Sequence, residues 1–548
     1  MDAPSTPMDV PIADVRILSD EDVLNAPRRF DSFGSELIER DLWLRRVQIL
    51  LAEDGQRLWD QKWRLDNLYW ITNKDGQRVL FHLNEAQEEF YKEMDYLNIV
   101  LKARQRGFTT FIDLFILDSC LFNEDVKAGI IAHHLDDAKV IFRDKVQFPY
   151  ENLPGAIKGA LRANNDRIGE MTWSNGSSIR VSTSMRSGTL QLLHVSEYGK
   201  IAAKWPEKAR EIKTGAFEAV GVGQMIFVES TAEGRGGEFY SMCQKAMAKK
   251  QQGKKLGPLD FKFHFFPWWG QKEYVLDPRF VAIPQELEDY FEDLETMHQI
   301  YLSLSQRAWY TVKHETHKDD MTREYPSYPE EAFKASVEGA YFAKVLAQIR
   351  MEKRIGKVPY DPAVPVNTFW DIGLNDTMAI WFHQQVGMEH RLIDYHEKAG
   401  EALAYFARIL QEKNYVYGVH YLPHDARARR LGKETNKTMV QMCTELGIRP
   451  TRVVQRAKNE EEVLQGIEAS RSLLAKCWID EARCDSGLKS LESYRKEWDD
   501  RGGCWKNRPF HDWASNGADA LRTGACGLNG NVSHLTRTDA YPEVVPDF

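Results

Sequence analysis

The chemistry this sequence can do is concentrated in three aspartates and one basic loop. Asp371 lies in TrpAspIleGlyLeuAsnAsp (370–376), Asp425 in LeuProHisAspAla (422–426) and Asp519 in HisAspTrpAlaSerAsnGlyAlaAspAlaLeuArg (511–522). Hydrolysis of a phosphodiester by two metal ions needs several carboxylates converging on ions about 4 Å apart. Mg²⁺ and Mn²⁺ favour such oxygen ligands. Each aspartate alone reads equally well as a turn or helix-capping residue. Asp512 is a nearby rival to Asp519, and Asp394 and Glu397 are further acids of lower standing.

The basic loop is LysAlaArgGlnArgGlyPheThrThr (102–110). A phosphate-binding loop reads GxxxxGK[ST] between a strand and a helix. Here Gly107 fills the second glycine position, and Thr109, followed by Thr110, supplies the hydroxyl that would hold Mg²⁺. The usual lysine is Phe108 and the first glycine is Lys102. Lys102, helped by Arg104 or Arg106, can supply the missing cation from the other end of the loop, since the β- and γ-phosphates need one. In isolation such a loop is ordinarily a helix cap with solvated charges.

Other residues raise the loop above that reading. The apolar run LeuLeuHisValSerGluTyr (192–198) puts Glu197 at a strand tip, where an acid can orient an attacking water. Ser196 stands where an aspartate usually precedes it. SerThrAlaGluGly (230–234) follows another apolar strand, so Ser230 and Thr231 can sense a terminal phosphate. Gln87 precedes the first strand, where an amide can read adenine.

These residues need a scaffold. From about 84 to 235 the sequence alternates strand and helix: strands at 97–101, 127–132, 178–182, 190–195 and 225–229, with a helix from Thr109 to about Phe122. This predicts an α/β domain with a mostly parallel sheet and its ligands at the strand C-termini. Residues 67–83 read as a hairpin. From 366 to 530 the order is three strands, then alternating helices and strands, then a closing helix at 517–526. That is the order of a ribonuclease-H-like fold. The expected divisions are an N-terminal helical or flexible region (1–60), a phosphate-loop domain (61–354, with an accessory part at 238–335), a Pro-rich linker (355–365), the second α/β domain (366–530) and a polar tail (531–548).

Composition sets the outer bounds. A chain of 548 residues exceeds one core and suits two large domains. No apolar run approaches the roughly 20 residues of a membrane helix. The acidic, Pro-rich start predicts a cytoplasmic protein without a signal segment. Seven cysteines without CxxC spacing argue for reduced thiols over a disulfide framework or zinc site. The net charge of −9 argues against a dedicated nucleic-acid binder while leaving room for local basic patches, such as ArgAlaArgArgLeuGlyLys at 427–433.

Taken in order, these motifs resemble the large terminase subunit of tailed bacteriophages, the family of DNA-packaging motor–nucleases. A variant loop that begins with a basic residue, as Lys102 does, occurs in that family. Gln87 resembles its adenine motif, Glu197 its strand-tip acid and Ser230–Gly234 its coupling motif. ArgSerGly at 186–188 sits where an arginine finger is expected. GluTyrProSerTyrProGluGluAlaPhe (324–333) and GlyAlaAspAlaLeuArg (517–522) also match. Phe108 and Ser196 depart from the pattern.

The resemblance implies ATP with Mg²⁺ at the loop and two Mg²⁺ or Mn²⁺ ions on Asp371, Asp425 and Asp519. Lys102 and Arg104 would hold phosphates, and Arg186 would act in trans. It implies double-stranded DNA, a small terminase subunit and a capsid portal as partners. The chain would form a ring on the portal and a monomer in solution, in the host cytoplasm and transiently on the procapsid. The rival expectations are a helicase–nuclease of recombination or repair and a degenerate, non-hydrolysing nucleotide sensor.

Overall fold

The computed structural model describes residues 18–530 apart from 168, 186–187, 334–338, 373–376, 428–436 and 500–503. Arg186 and most of the basic run at 427–433 lie outside the described residues, as does the tail after 530. Chain contacts divide the protein into two compact units. The first runs to Ala232 and resumes over Gly237–Lys334; the second takes Glu233–Gly236 and the chain from Ala335 onward. The Pro-rich stretch at 355–365 therefore falls inside the second unit.

In the first unit a hairpin, β1 (Trp70–Thr72) and β2 (Arg78–Leu80), precedes an eight-stranded sheet. The sheet strands are β3 (Leu97–Lys102), β4 (Lys127–Ile131), β5 (Ala163–Arg167), β6 (Glu170–Trp173), β7 (Ser178–Ser182), β8 (Leu190–Ser196), β9 (Val220–Ser230) and β10 (Phe261–Phe266). Their order is β10-β3-β9-β8-β4-β7-β6-β5. All neighbours from β10 to β7 are parallel, and β6 and β5 extend the edge antiparallel. The α/β architecture with a mostly parallel sheet is as the alternation of apolar runs predicts.

Side chains alternate across a strand, and the two faces of this sheet feed different cores. Val100, Ile130, Leu192 and Phe227 pack with the helix Phe108–Phe122 on one face. Ile99, Leu101, Ile131, Leu193, Val195, Ile226 and Val228 pack with the helices Tyr198–Lys204 and Gly237–Gln251 on the other. The helix Phe108–Phe122 is apolar nearly all round, the mark of a helix sunk in a core. The aromatic run after β10 is interior as well: Trp268 is fully buried and stacks on Trp309, among the helices Gln285–His298 and Leu304–His317.

The second unit holds a seven-stranded sheet. Its strands are β11 (Ile355–Gly356), β12 (Val366–Asp371), β13 (Thr377–Val386), β14 (Glu389–Ala399), β15 (Tyr417–Leu422), β16 (Thr451–Val453) and β17 (Cys477–Asp480), in the order β11-β17-β14-β13-β12-β15-β16. The meander β12–β13–β14 is antiparallel, and β15 and β16 add in parallel beside β12. This is the ribonuclease-H-like arrangement expected from the element order, with β17 and β11 added beyond β14. A second hairpin, β18 (Lys496–Asp499) and β19 (Cys504–Pro509), precedes the closing helix Trp513–Leu528.

Candidate functional sites

The first site grows out of β3 and the helix that follows it. The loop between them turns through Gln105 and Gly107, both with positive φ (61° and 77°), and Gly107 caps the helix without any side-chain bond to its first N–H groups. A side chain at 107 would also strike Gln87, whose Nε2 lies 2.7 Å from where its Cβ would be. Gln87 is buried; its Nε2 donates to the Gly107 carbonyl at 2.9 Å and its Oε1 accepts from the Asn84 N–H at 3.0 Å. The residue expected to read adenine is thus bonded to the loop itself, although it also lines the cavity below.

The two basic arms of the loop differ. Arg104 is exposed and pairs with Glu324 at 3.1 Å, while Arg106 is buried and donates to Gln271 Oε1 at 2.5 Å. Phe108, in the usual lysine position, is fully buried against Phe90 and Phe266. Its ring belongs to the core, so a lysine there would have no route to the loop. A buried cation does lie nearby, on the strand.

Lys102, 5% exposed, lies with Nζ 3.0 Å from Glu229 Oε2 and 3.5 Å from Glu197 Oε1. Burial opposes its charge, but the two carboxylates outweigh burial and raise its pKa.

Strand parity explains the rest of the cluster. Lys102 on β3, His194 and Ser196 on β8 and Glu229 on β9 share the parity of Val100, Leu192 and Phe227, so they face the helix Phe108–Phe122. Thr109 donates to Glu229 Oε1 at 2.7 Å, and Ser196 donates to the same atom at 2.9 Å. His194 Nδ1 is 2.7 Å from Asp113 of that helix, and its Nε2 is 3.6 Å from Glu229.

Burial pushes the His194 imidazole down, but Asp113 and then Glu229 together outweigh it and lift the pKa to about 9, which favours the protonated ring at neutral pH. Burial pushes Glu229 up, and Lys102, His194 and the Thr109 hydroxyl more than offset it, leaving the carboxyl ionised. None of Asp113, His194 or Glu229 was singled out from sequence. The legible signal for His194 and Glu229 was a polar residue of helix-facing parity inside an otherwise apolar strand.

Glu197 lies just beyond β8 in the left-handed conformation (φ 54°), a strained state for a non-glycine residue that is common at functional sites. Its carboxylate meets Lys102 and, at 3.3 Å, Lys200. Ser230 is buried and accepts from the Gly199 N–H at 3.0 Å. Thr231 is 3% exposed, and its hydroxyl has no hydrogen-bond partner among the described residues.

A cavity of about 500 Å³ collects Gln87, Lys102, Arg104, Gly107, Thr109, Thr110, Glu197 and Thr231, with Lys74, Lys145 and Lys200 among its other walls. Uncapped helix N–H groups, the unpaired Thr231 hydroxyl and this density of cations suit a polyphosphate. The Thr109 hydroxyl beside Glu229 suits its divalent cation.

The second site lies in the other unit. β12 and β15 are parallel neighbours, with Phe369 opposite Tyr421. Asp371 at the end of β12 and Asp425 in the short turn His424–Arg427 after β15 therefore emerge at one edge. The helix Trp513–Leu528 brings Asp519 to the same edge by lying very close to the sheet. A Cβ on Gly524 would fall 2.1 Å from Phe369, and one on Gly527 would fall 2.2 Å from Tyr421.

All three aspartates line one cavity of about 900 Å³, together with His424, Arg456, Lys458, His511 and Arg522. Asp512 instead caps that helix, accepting from Ala514 N–H, and pairs with Arg495 at 2.8 Å. Asp394 is engaged by Tyr415, and Glu397 accepts from Tyr395 at 2.7 Å.

The three acids do not converge. Among the described residues no group of three or more His, Cys, Asp or Glu side chains could hold a metal ion. Asp425 is held by His424 at 2.8 Å, and Asp519 by Arg522 at 3.2 Å and the Tyr494 hydroxyl at 3.1 Å. Burial opposes the charge on Arg522, but Asp519 above all, and Asp371 beyond it, outweigh burial and raise its pKa. The cavity thus has hard oxygen donors suited to Mg²⁺ or Mn²⁺, with a histidine against Asp425 and an arginine against Asp519.

No family model matches this sequence, and no curated protein does. Solved structures do match. The large terminase of bacteriophage HK97 is similar with a TM-score of 0.42 and 11% identity, over 87% of this chain and 99% of that one. The large terminase of a thermophilic bacteriophage, in complex with ADP, is similar with a TM-score of 0.28 and 11% identity, over 81% and 98%. The nuclease domain of the bacteriophage P22 large terminase is similar with a TM-score of 0.27 and 16% identity, over 36% and 94%. In structure the chain is similar to the large terminases of bacteriophages.

Proposed function

We propose that the protein is the large-subunit motor and nuclease of a viral DNA-packaging machine. ATP hydrolysis at the first cavity drives double-stranded DNA into a procapsid, and a two-metal endonuclease at the second cuts concatemeric DNA at the start and end of packaging. The observation that carries the reading is Lys102. A buried lysine held between Glu197 and Glu229 at the foot of a helix-capping loop supplies the phosphate-facing cation that Phe108 cannot.

In the motor, Lys102 and Arg104 neutralise phosphate charge, the helix N–H groups after Gly107 cradle it, and Glu197 orients the attacking water. Bound Mg²⁺ would neutralise the β- and γ-phosphate oxygens, with Thr109 as its protein ligand. Ser230 and Thr231 report loss of the terminal phosphate. Arg186 completes a neighbouring subunit's site in a ring on the portal, the chain being monomeric in solution. In the nuclease, Asp371, Asp425 and Asp519 would hold two divalent ions, which when bound would supply Lewis-acid chemistry for phosphodiester hydrolysis. A small terminase subunit selects the DNA. The protein works in the host cytoplasm and docks transiently on the procapsid.

The test pairs Glu197→Ala with Asp371→Ala, each assayed for ATP hydrolysis and for plasmid cleavage in Mg²⁺ and in Mn²⁺. Selective loss of hydrolysis in the first and of cleavage in the second is the expected result. Normal hydrolysis by Glu197→Ala would remove the motor site from this reading, and normal cleavage by Asp371→Ala would remove the nuclease site.

A further inference from the structure

Glu229 lies just behind the first site, touching Lys102 and Thr109 of the cavity wall, yet it is on a different strand from the acid the motif leads one to expect. The usual arrangement holds the nucleotide's Mg²⁺ with the loop hydroxyl and with an aspartate at a strand tip. That position here is Ser196, which has no charge to offer. Ser196 and Glu229 are direct cross-strand partners in the register of β8 and β9. They share one face, and the Ser196 hydroxyl donates to Glu229 Oε1 at 2.9 Å. The same oxygen accepts from Thr109 at 2.7 Å, and the other carboxylate oxygen lies 3.0 Å from Lys102 Nζ. Glu229 is wholly buried.

We propose that Glu229 is the positioning residue for the nucleotide's divalent cation, doing from β9 what an aspartate at position 196 would do from β8. The inference rests on the ATPase reading above. The longer glutamate side chain spans the step between strands. It takes the Thr109 hydroxyl proton in a hydrogen bond, which leaves the lone pairs of that oxygen available to the cation. It also fixes Lys102, so that the cation site and the phosphate-facing ammonium are set by one carboxylate.

The serine is part of the exchange. An aspartate at 196 would place a second negative charge directly opposite Glu229, and like charges across a strand pair are destabilising. Serine instead donates a hydrogen bond. The two positions are therefore coupled, and the carboxylate should be movable from one to the other.

The test measures binding of a fluorescent, non-hydrolysable ATP analogue to the intact protein, with Mg²⁺ and with EDTA. In the wild type Mg²⁺ should tighten binding by about 10-fold or more, the worth of a charge-assisted contact. Glu229→Gln should bring that ratio close to one. Ser196→Asp in the Glu229→Gln background should restore most of it, whereas Ser196→Asp alone should not raise it.

A ratio kept in Glu229→Gln, or not recovered in the double variant, would overturn the proposal while leaving the ATPase reading intact. Absence of any nucleotide binding by the wild type would overturn that reading itself. Should Glu229→Gln fail to fold, Thr109→Val removes the hydroxyl that Glu229 orients and reads the same ratio. A ratio retained there would equally sink the idea.

Discussion

The two candidate sites are built to opposite rules. In the first unit the charges behind the loop are buried, mutually paired and gathered between one sheet face and its helix: Lys102 with Glu229, His194 with Asp113, Thr109 and Ser196 with Glu229. In the second, Asp425 is 60% exposed, and the aspartates line a wide cavity without converging. A site with its charges already compensated is organised before its ligand arrives. In the proposed two-metal reading, a site whose acids rest on Arg522 and His424 would exchange those partners for metal ions before acting. The contrast matches the proposed division of labour, a motor that cycles continuously and a nuclease held in check between cuts.

The largest effect that could break this contrast comes from the buried lysine. Lys102→Met should abolish ATP hydrolysis and also destabilise the first unit by up to about 3–5 kcal/mol, since Glu229 would lose the nearer of its two buried cations and keep only His194. Denaturant melts of that unit would read it. An Asp371→Ala protein, by contrast, should lose cleavage at unchanged melting temperature. If both variants were equally stable, the two sites would not differ in the way described.

Phe108→Lys sharpens the same point. It restores the usual loop lysine on paper, but the side chain enters the cluster of Phe90 and Phe266. The expected outcome is a loss of several kcal/mol from an uncompensated buried charge and no gain in hydrolysis. A faster enzyme would show that the loop can repack. In the second unit, Gly524→Ala should cost about 1–3 kcal/mol through overpacking against Phe369. It should also weaken cleavage more than it weakens hydrolysis, because it displaces Asp519. The smallest expected effect is in Arg522→Gln: freeing Asp519 should lower the Mn²⁺ concentration needed for half-maximal cleavage by about 3- to 10-fold, the worth of a partly exposed pair.

Much of the scaffold was legible because apolar runs alternate with polar ones at strand and helix spacings. β3, β8 and β9 and the helix after the loop fall where LeuAsnIleValLeu, LeuLeuHisVal and MetIlePheVal predict, within a residue or two except where β9 starts earlier, at Val220. The second sheet's order likewise follows from three strands before the first helix. The region 476–512 was not legible. Its strand β17 has four residues, and the helix Asp485–Ser493 and the β18–β19 hairpin are short and rich in charge. Their form comes from packing on β14 and the closing helix more than from any periodicity of their own.

At the site, Lys102, Thr109 and Glu197 could be found from motif order. The hub Glu229 could not, because strand adjacency between 196 and 229 is a tertiary fact. Gln87 shows the converse: its position was legible, while its bonds to Gly107 and Asn84 were not.

Lys102 is the last residue of β3, so the charge that would hold the nucleotide is rooted in the sheet. In the usual loop the lysine rides on the first turn of the helix. In the proposed motor, the cation that grips the phosphates would therefore belong to the sheet and not to the helix that follows the loop.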